Sequence, residues 1–177
     1  NINAVFGYDQ GFEEYADSTI RFSWMDRDQG TVGMKKGAEV ESAEATTDRA
    51  LDMLDRHAAT FAEAPFFLEV LYIDPHHPYV VHPGYTEHLE GSKSKRYDGE
   101  IRYSDVQMGR LFEEMDARGM LDNALVVVTS DHGEGLTDHP KVYWSKTHGR
   151  VLYDTNLRVP LVIAHESVKA GHAVEAM

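Results

Sequence analysis

The sequence contains no cysteine. That excludes disulfides and any thiolate-ligated metal centre, and it is compatible with export and with the cytosol alike. Positive charge is also scarce: 17 Lys and Arg stand against 30 Asp and Glu, for a formal net charge of -13 at pH 7. Nucleic acid is therefore a poor partner, because phosphate backbones are gripped by basic patches. The acidic balance does not exclude a local anion site built from a metal, histidine and lysine. No apolar run approaches the roughly 20 residues that a membrane span requires. No signal-peptide pattern is visible. The chain starts at Asn1 rather than Met and its patterning runs to both ends, so the expectation is an internal piece of a longer protein.

What is present describes a globular domain. The 177 residues are 42% hydrophobic and 27% charged, enough for one domain with a real core. Residues 1–40 read as irregular. Within them "GYDQGFEEYAD" (7–17) looks like a loop with aromatic anchors and "MDRDQGTVGMKKG" (25–37) is polar. Leu51, Leu54, Ala58 and Phe61 recur at helical spacing, which predicts a helix from about Ala43 to Ala64, with Thr46 or Thr47 near its start and Pro65 as its stop. "PFFLEVLYI" (65–73) reads as a buried strand, and "GSKSKRYDG" (91–99) as a loop. A second helix is predicted from Glu100 to Arg118, with a stripe of Ile101, Met108, Phe112 and Met115 and Gly119 as its cap. Asp105 falls on that stripe, where an acid needs a hydrogen-bond partner. "NALVVVTS" (123–130) and "VPLVIAH" (159–165) are further strands. Strand, helix and strand in this order imply a parallel sheet covered by helices. Neither an internal repeat nor a linker between domains is visible.

Polar residues collect where the apolar runs stop. "IDPHHP" follows the first strand, "TSDHGE" follows the second, and "SKTHG" precedes the third. Functional groups in open parallel sheets gather at the carboxyl ends of strands, so three distant stretches can converge on one edge. Asp131 and His132 offer a carboxylate and an imidazole, both good ligands for divalent metals. Neighbours on a regular strand point to opposite faces. At a strand end both can reach one ion, with Gly133 supplying the backbone freedom. The same residues also fit a plain turn in which Asp131 caps a following helix. His76 and His77 fit either a site or an exposed loop beside prolines. His148, His139 and Lys146 carry weaker signals of the same kind.

Taken together these segments resemble the sulfatase family of the alkaline phosphatase superfamily. "GYDQGFEEYAD" is similar to a loop of bacterial sulfatases, and "PFFLEVLYIDPHHPY" to the strand leading to their His-x-Pro motif. "YDGEIRYSDVQMGRLFEEMDARGMLDNALVVVTSDHGE" is the most specific stretch, and "THGRVLYDTNLRVPLVI" resembles the segment that follows it. The resemblance covers most of the chain. It implies an α/β fold, the alkaline phosphatase-like three-layer sandwich with a mostly parallel sheet flanked by helices, present here in part as one partial catalytic domain over 1–177. It implies that Asp131 and His132 ligate a divalent metal, calcium first, with zinc or manganese as alternatives. It gives His76 and His148 catalytic roles against the sulfate ester and leaving group, places Lys146 and His139 as substrate contacts, and makes Asp105 structural. The implied substrate is a small-molecule or carbohydrate sulfate ester, and sulfatases of this type are often periplasmic or extracellular.

One departure is large. The family's nucleophile, a cysteine or serine converted to formylglycine in a Cys/Ser-x-Pro-x-Arg motif, has no counterpart here, and neither does the family's early Asp-Asp pair. The resemblance therefore places the nucleophile upstream of Asn1 and implies that the isolated chain holds about half of a metal shell and is inactive. A phosphodiesterase, phosphonate hydrolase or phosphoethanolamine transferase of the same superfamily stays open as an alternative. So does a non-catalytic module that retains the fold.

Overall fold

A computed structural model describes residues 9–16, 42–61, 64–86, 91–139, 141, 148 and 151–174. The polar stretch 25–37 and Lys146 lie outside the described residues. Helix α1 spans Ala43–Phe61. It opens at Ser42, whose Oγ accepts the Ala45 N–H at 3.3 Å, so a serine rather than Thr46 or Thr47 caps it. Thr47 is instead buried, its hydroxyl paired with the Tyr72 hydroxyl at 2.9 Å. The buried face runs Ala43, Thr47, Ala50, Leu54. Ala58 and Phe61, expected on that face, are exposed.

Helix α2 spans Lys93–Ala117, seven residues more at its start than the sequence pattern suggested. The reason is local. Ser92 accepts the Lys95 N–H and caps the helix, and the Lys- and Ser-rich turn that follows contains no breaker until Gly99, which is buried. The other end closes as a Schellman motif. Gly119 sits at φ +67, its N–H reaches the Asp116 carbonyl at 2.8 Å, and the Met120 N–H reaches Met115 at 2.9 Å. Gly119 thus caps the helix as anticipated.

The buried face of α2 is rotated from the predicted one. It carries Glu100, Tyr103, Ser104, Gln107, Leu111 and Met115, while Ile101 and Asp105 face outward. The helices pack through Ala50, Leu54, Leu111 and Met115. Leu51, Leu68, Val70, Met120 and Leu121 seal the seam. Burying Leu54, Leu111 and Met115 is worth about 1.5–3 kcal/mol each.

Residues 65–73 pair with no strand among the described residues, contrary to the strand expected there. Their side chains alternate, with Leu68, Val70 and Tyr72 turned partly inward and Phe67, Glu69 and Leu71 exposed. The segment lies along the helix pair and brings Phe67 against Phe12 at 6.0 Å, so the early loop is anchored by an aromatic side chain as its sequence suggested. The strands β1 (Val126–Thr129) and β2 (Leu161–Ala164) form a two-stranded sheet. They run antiparallel, Val126 opposite Ala164 and Thr129 opposite Leu161, where a parallel pair was expected. Parallel strands are usually joined by a crossover helix that packs back on the sheet. The described part of this connection holds only turns and the four-residue helix α3 (Asp154–Leu157). The chain reverses at the end of β1, where the Gly133 N–H donates to the Asn156 carbonyl at 2.9 Å.

Candidate active site

The loop after residue 73 is held against α2. Its Asp74–Pro75 and His77–Pro78 peptides are cis. Ser104 donates to the Asp74 carbonyl at 2.9 Å, and Glu100 accepts the Val80 N–H at 2.7 Å. His82 stacks on Tyr103 with centroids 3.7 Å apart and planes 12° apart. Between these anchors the loop projects His76 and buries Tyr79.

Three histidines from the three predicted stretches meet there. The rings of His132 and His148 stack with centroids 3.9 Å apart, and His76 lies 6.4 Å from His148. Each turns its Nδ1 towards an oxygen acceptor: His76 to the His77 carbonyl at 2.7 Å, His132 to the Gly133 carbonyl at 2.9 Å, and His148 to the Glu134 carboxylate at 3.3 Å. A carbonyl or carboxylate only accepts, so Nδ1 carries the hydrogen in all three. A neutral ring so held offers its Nε2 lone pair to a metal or a proton.

Asp131 is exposed and its Oδ1 accepts the N–H of His132 at 2.9 Å, while Oδ2 lies 3.6 Å from His132 Nε2. Carboxylate and imidazole therefore face one point, a spacing that two ligands of one divalent ion can adopt. Asp131 caps no helix, because turns rather than a helix follow it. Gly133 acts through space rather than through an unusual φ. A Cβ there would collide with the Thr155 carbonyl oxygen, so only glycine lets the 131–135 turn dock on α3. His139 packs on Tyr153, with centroids 4.0 Å apart.

Glu134 was quoted in the sequence motif without a role, and the structure gives it one. Its nearly buried carboxylate accepts the Tyr79 hydroxyl at 3.0 Å, faces His148, and takes the Gly135 N–H at 3.1 Å. Burial and the Glu134 carboxylate push the Tyr79 phenol far up, so it stays a donor.

A second group beneath the loop was missed altogether. Asp74, His82 and Glu100 each bring a ligand atom within 4.8 Å of the others. Burial pushes the Glu100 carboxyl up to about 8, with the Val80 N–H and, at longer range, the His76 N–H pulling the other way. Burial likewise raises Asp74 and lowers His82. Asp105, the acid the sequence singled out, follows five residues later and faces solvent. Counting back from Leu111 and Met115 by helical steps would have put Glu100, not Asp105, on the buried face.

The fold is the α/β architecture of the alkaline phosphatase-like class. The crystal structure of yidJ from Bacteroides fragilis aligns with TM-score 0.59 at 20% identity, covering 76% of this chain and 34% of that one. A sulfatase family model matches residues 1–176, and the chain belongs to the sulfatase family. Among curated relatives, the multifunctional alkaline phosphatase superfamily protein PehA of Trinickia caryophylli is 29% identical over 165 residues, 63% of this chain and 31% of that protein. The ulvan-active sulfatase of Formosa agariphila is 25% identical over 125 residues, 60% of this chain and 24% of that protein. The chain thus spans less than a third of the length of these relatives. No helix among the described residues is long and apolar enough to cross a membrane.

Proposed function

We propose that the protein is a metal-dependent sulfuric ester hydrolase and that this chain carries the cation-holding and anion-binding half of its active site. The observation that supports this best is the meeting of His76, His132 and His148, each with Nδ1 engaged. Asp131 and His132 are the proposed ligands of a divalent cation. Calcium is the first choice on family grounds, and the imidazole nitrogen suits zinc or manganese as well. Such a cation, when bound, neutralises charge on the ester oxygens.

The chain's own residues do the rest. The Nε2 atoms of His76 and His148 face the anion, and a protonated imidazole there gives a proton to the departing ester oxygen. Glu134 holds His148 in the tautomer and orientation that this requires. Lys146 and His139 are proposed as further contacts to the sulfate. The nucleophile, formylglycine by family resemblance, is not among these groups, so the 177-residue chain alone is expected to bind cation and anion without turnover. The substrate class is a small-molecule or carbohydrate sulfate ester, in keeping with similarity to the ulvan-active sulfatase. A phosphodiesterase or phosphonate hydrolase of the same superfamily is the second reading, in keeping with similarity to the multifunctional alkaline phosphatase superfamily protein PehA.

The test has two parts. Calcium affinity is measured for the wild-type chain and for Asp131→Asn and His132→Ala, where at least about tenfold weakening is expected. Unchanged affinity in both variants would refute the ligand assignment. A polypeptide of the relatives' full length carrying this segment is then assayed with 4-nitrophenyl sulfate and bis(4-nitrophenyl) phosphate. Preference for the sulfate ester is expected, and turnover of the phosphodiester alone would move the reading to phosphoryl chemistry.

A further inference from the structure

Asp74, His82 and Glu100 come from the entry of the loop, from its exit and from α2. All three are packed under the loop rather than in the histidine cluster above it. Asp74 spends Oδ2 on the Ala43 N–H at 2.8 Å, and the nearest Asp74 oxygen to His82 Nε2, Oδ1, stands 4.0 Å away, beyond hydrogen-bond reach. Glu100 spends Oε1 on the Val80 N–H at 2.7 Å. Among the described residues its buried Oε2 has no partner at hydrogen-bond distance, and His82 Nε2 is in the same condition. Glu100 is 1% exposed. The His82 ring cannot turn away easily, because it is clamped face to face on Tyr103 and its backbone N–H is bound by Thr86 Oγ1 at 2.7 Å.

Buried polar atoms almost always have partners, and two orphans on members of one cluster need a cause. Two carboxylates and one imidazole are a charge-compensating donor set for a doubly charged ion. The nitrogen selects a first-row transition ion over calcium, which prefers six to eight oxygens. We propose that Asp74, His82 and Glu100 form a second divalent-cation site for Zn2+ or Mn2+, separate from Asp131 and His132, which ties the histidine-bearing loop to α2. The site is structural. It offers three protein ligands where Asp131 and His132 offer two, so it is the tighter of the two in this chain.

The experiment uses the full chain, stripped with a chelator, reloaded with Zn2+ or Mn2+ and desalted. Retained metal is counted by mass spectrometry and thermal stability is recorded alongside. The wild type and the Asp131→Asn/His132→Gln double variant are expected to retain one equivalent and to melt higher with metal than without. Glu100→Gln keeps an oxygen for the Val80 N–H, and His82→Phe keeps the stack on Tyr103. Both are expected to lose the retained equivalent and the metal-dependent rise in melting temperature, with at least tenfold weaker affinity. If one of the two does not fold, the other decides. Loss of retained metal in the Asp131/His132 double variant would overturn the proposal, as would retention in Glu100→Gln and His82→Phe. No retained metal in the wild type, with Glu100→Gln more stable than the parent, would also overturn it and identify the group as a proton-holding or hydrated cluster. Because the two sites are removed separately, failure here and failure of the Asp131–His132 assignment are told apart.

Discussion

Gly133 has no room for a side chain. Any Cβ there meets the Thr155 carbonyl oxygen and presses on the Asn156 backbone, while the Gly133 N–H is already bound to the Asn156 carbonyl. Gly133→Ala is therefore expected to push the 131–135 turn off α3 and to cost about 2–3 kcal/mol, the range of overpacking plus a lost buried hydrogen bond. Urea denaturation measures this, and a midpoint within error of the parent would contradict the close docking. The sequence pointed at the right glycine for a different reason, backbone freedom, because a two-body approach between residues 133 and 155 leaves no local trace. Asp131, His132 and His76 were singled out because polar groups at the end of an apolar run stand out, and His148 mainly through the family resemblance. Glu134 was not. Its partners Tyr79 and His148 lie 55 and 14 residues away, and a glutamate flanked by glycines looks like solvent-facing chain until those partners are in place.

At the scale of elements, the existence of α1 and α2 was readable and their phase was not. The predicted stripes counted only apolar residues. The real seam on α2 includes Glu100, Ser104 and Gln107: Glu100 accepts the Val80 N–H and Ser104 donates to the Asp74 carbonyl across the gap, while the Gln107 side chain accepts from Arg110 on its own helix and its backbone carbonyl takes the Thr47 hydroxyl. Hydropathy cannot see a polar group that a partner elsewhere in the chain holds inside. The ends obey simpler rules. Ser92→Ala removes the oxygen that caps Lys95 and is expected to cost about 1 kcal/mol. Gly119→Ala forces a Cβ into a left-handed backbone at φ +67 and is expected to cost about 1 kcal/mol as well. The two substitutions sit at opposite ends of the helix and share no partner, so their effects should add. Chemical denaturation of the singles and the double checks both points, and a neutral Gly119→Ala would show that the cap tolerates an ordinary residue.

For the whole molecule, strand pairing was the part least accessible from sequence, since a four-residue apolar run fits a parallel or an antiparallel neighbour equally well. The pair that results is thinly covered. Leu161, Val162 and Ile163 are 64%, 57% and 47% exposed in succession, and Leu125 and Val127 are 65% and 52% exposed. Apolar sheet faces and edges of this kind attract other chains, while the net charge of -13 repels them. The 177-residue chain is accordingly expected to bind an apolar fluorescent dye in its native state. It is also expected to associate more as salt screens that charge over about 10 Å or less. Light scattering after size exclusion at low and high salt tests this, and a dye-silent monomer at high salt would contradict it. The convergence of the three polar stretches survived the change in strand direction because it depends on where the chain turns, not on how the strands run between the turns. The loop that carries His76 owes its place to α2. Ser104 holds the loop's entry, Glu100 its far side, and Tyr103 its exit, all within little more than one turn of a single helix. The helical pitch of about 5.4 Å thus acts as a ruler for the loop. Adding or removing one residue between Glu100 and Ser104 would swing these attachments apart by about 100° and carry His76 out of line with His148, so chain-length variation in the sequences of this protein's lineage should avoid that single turn.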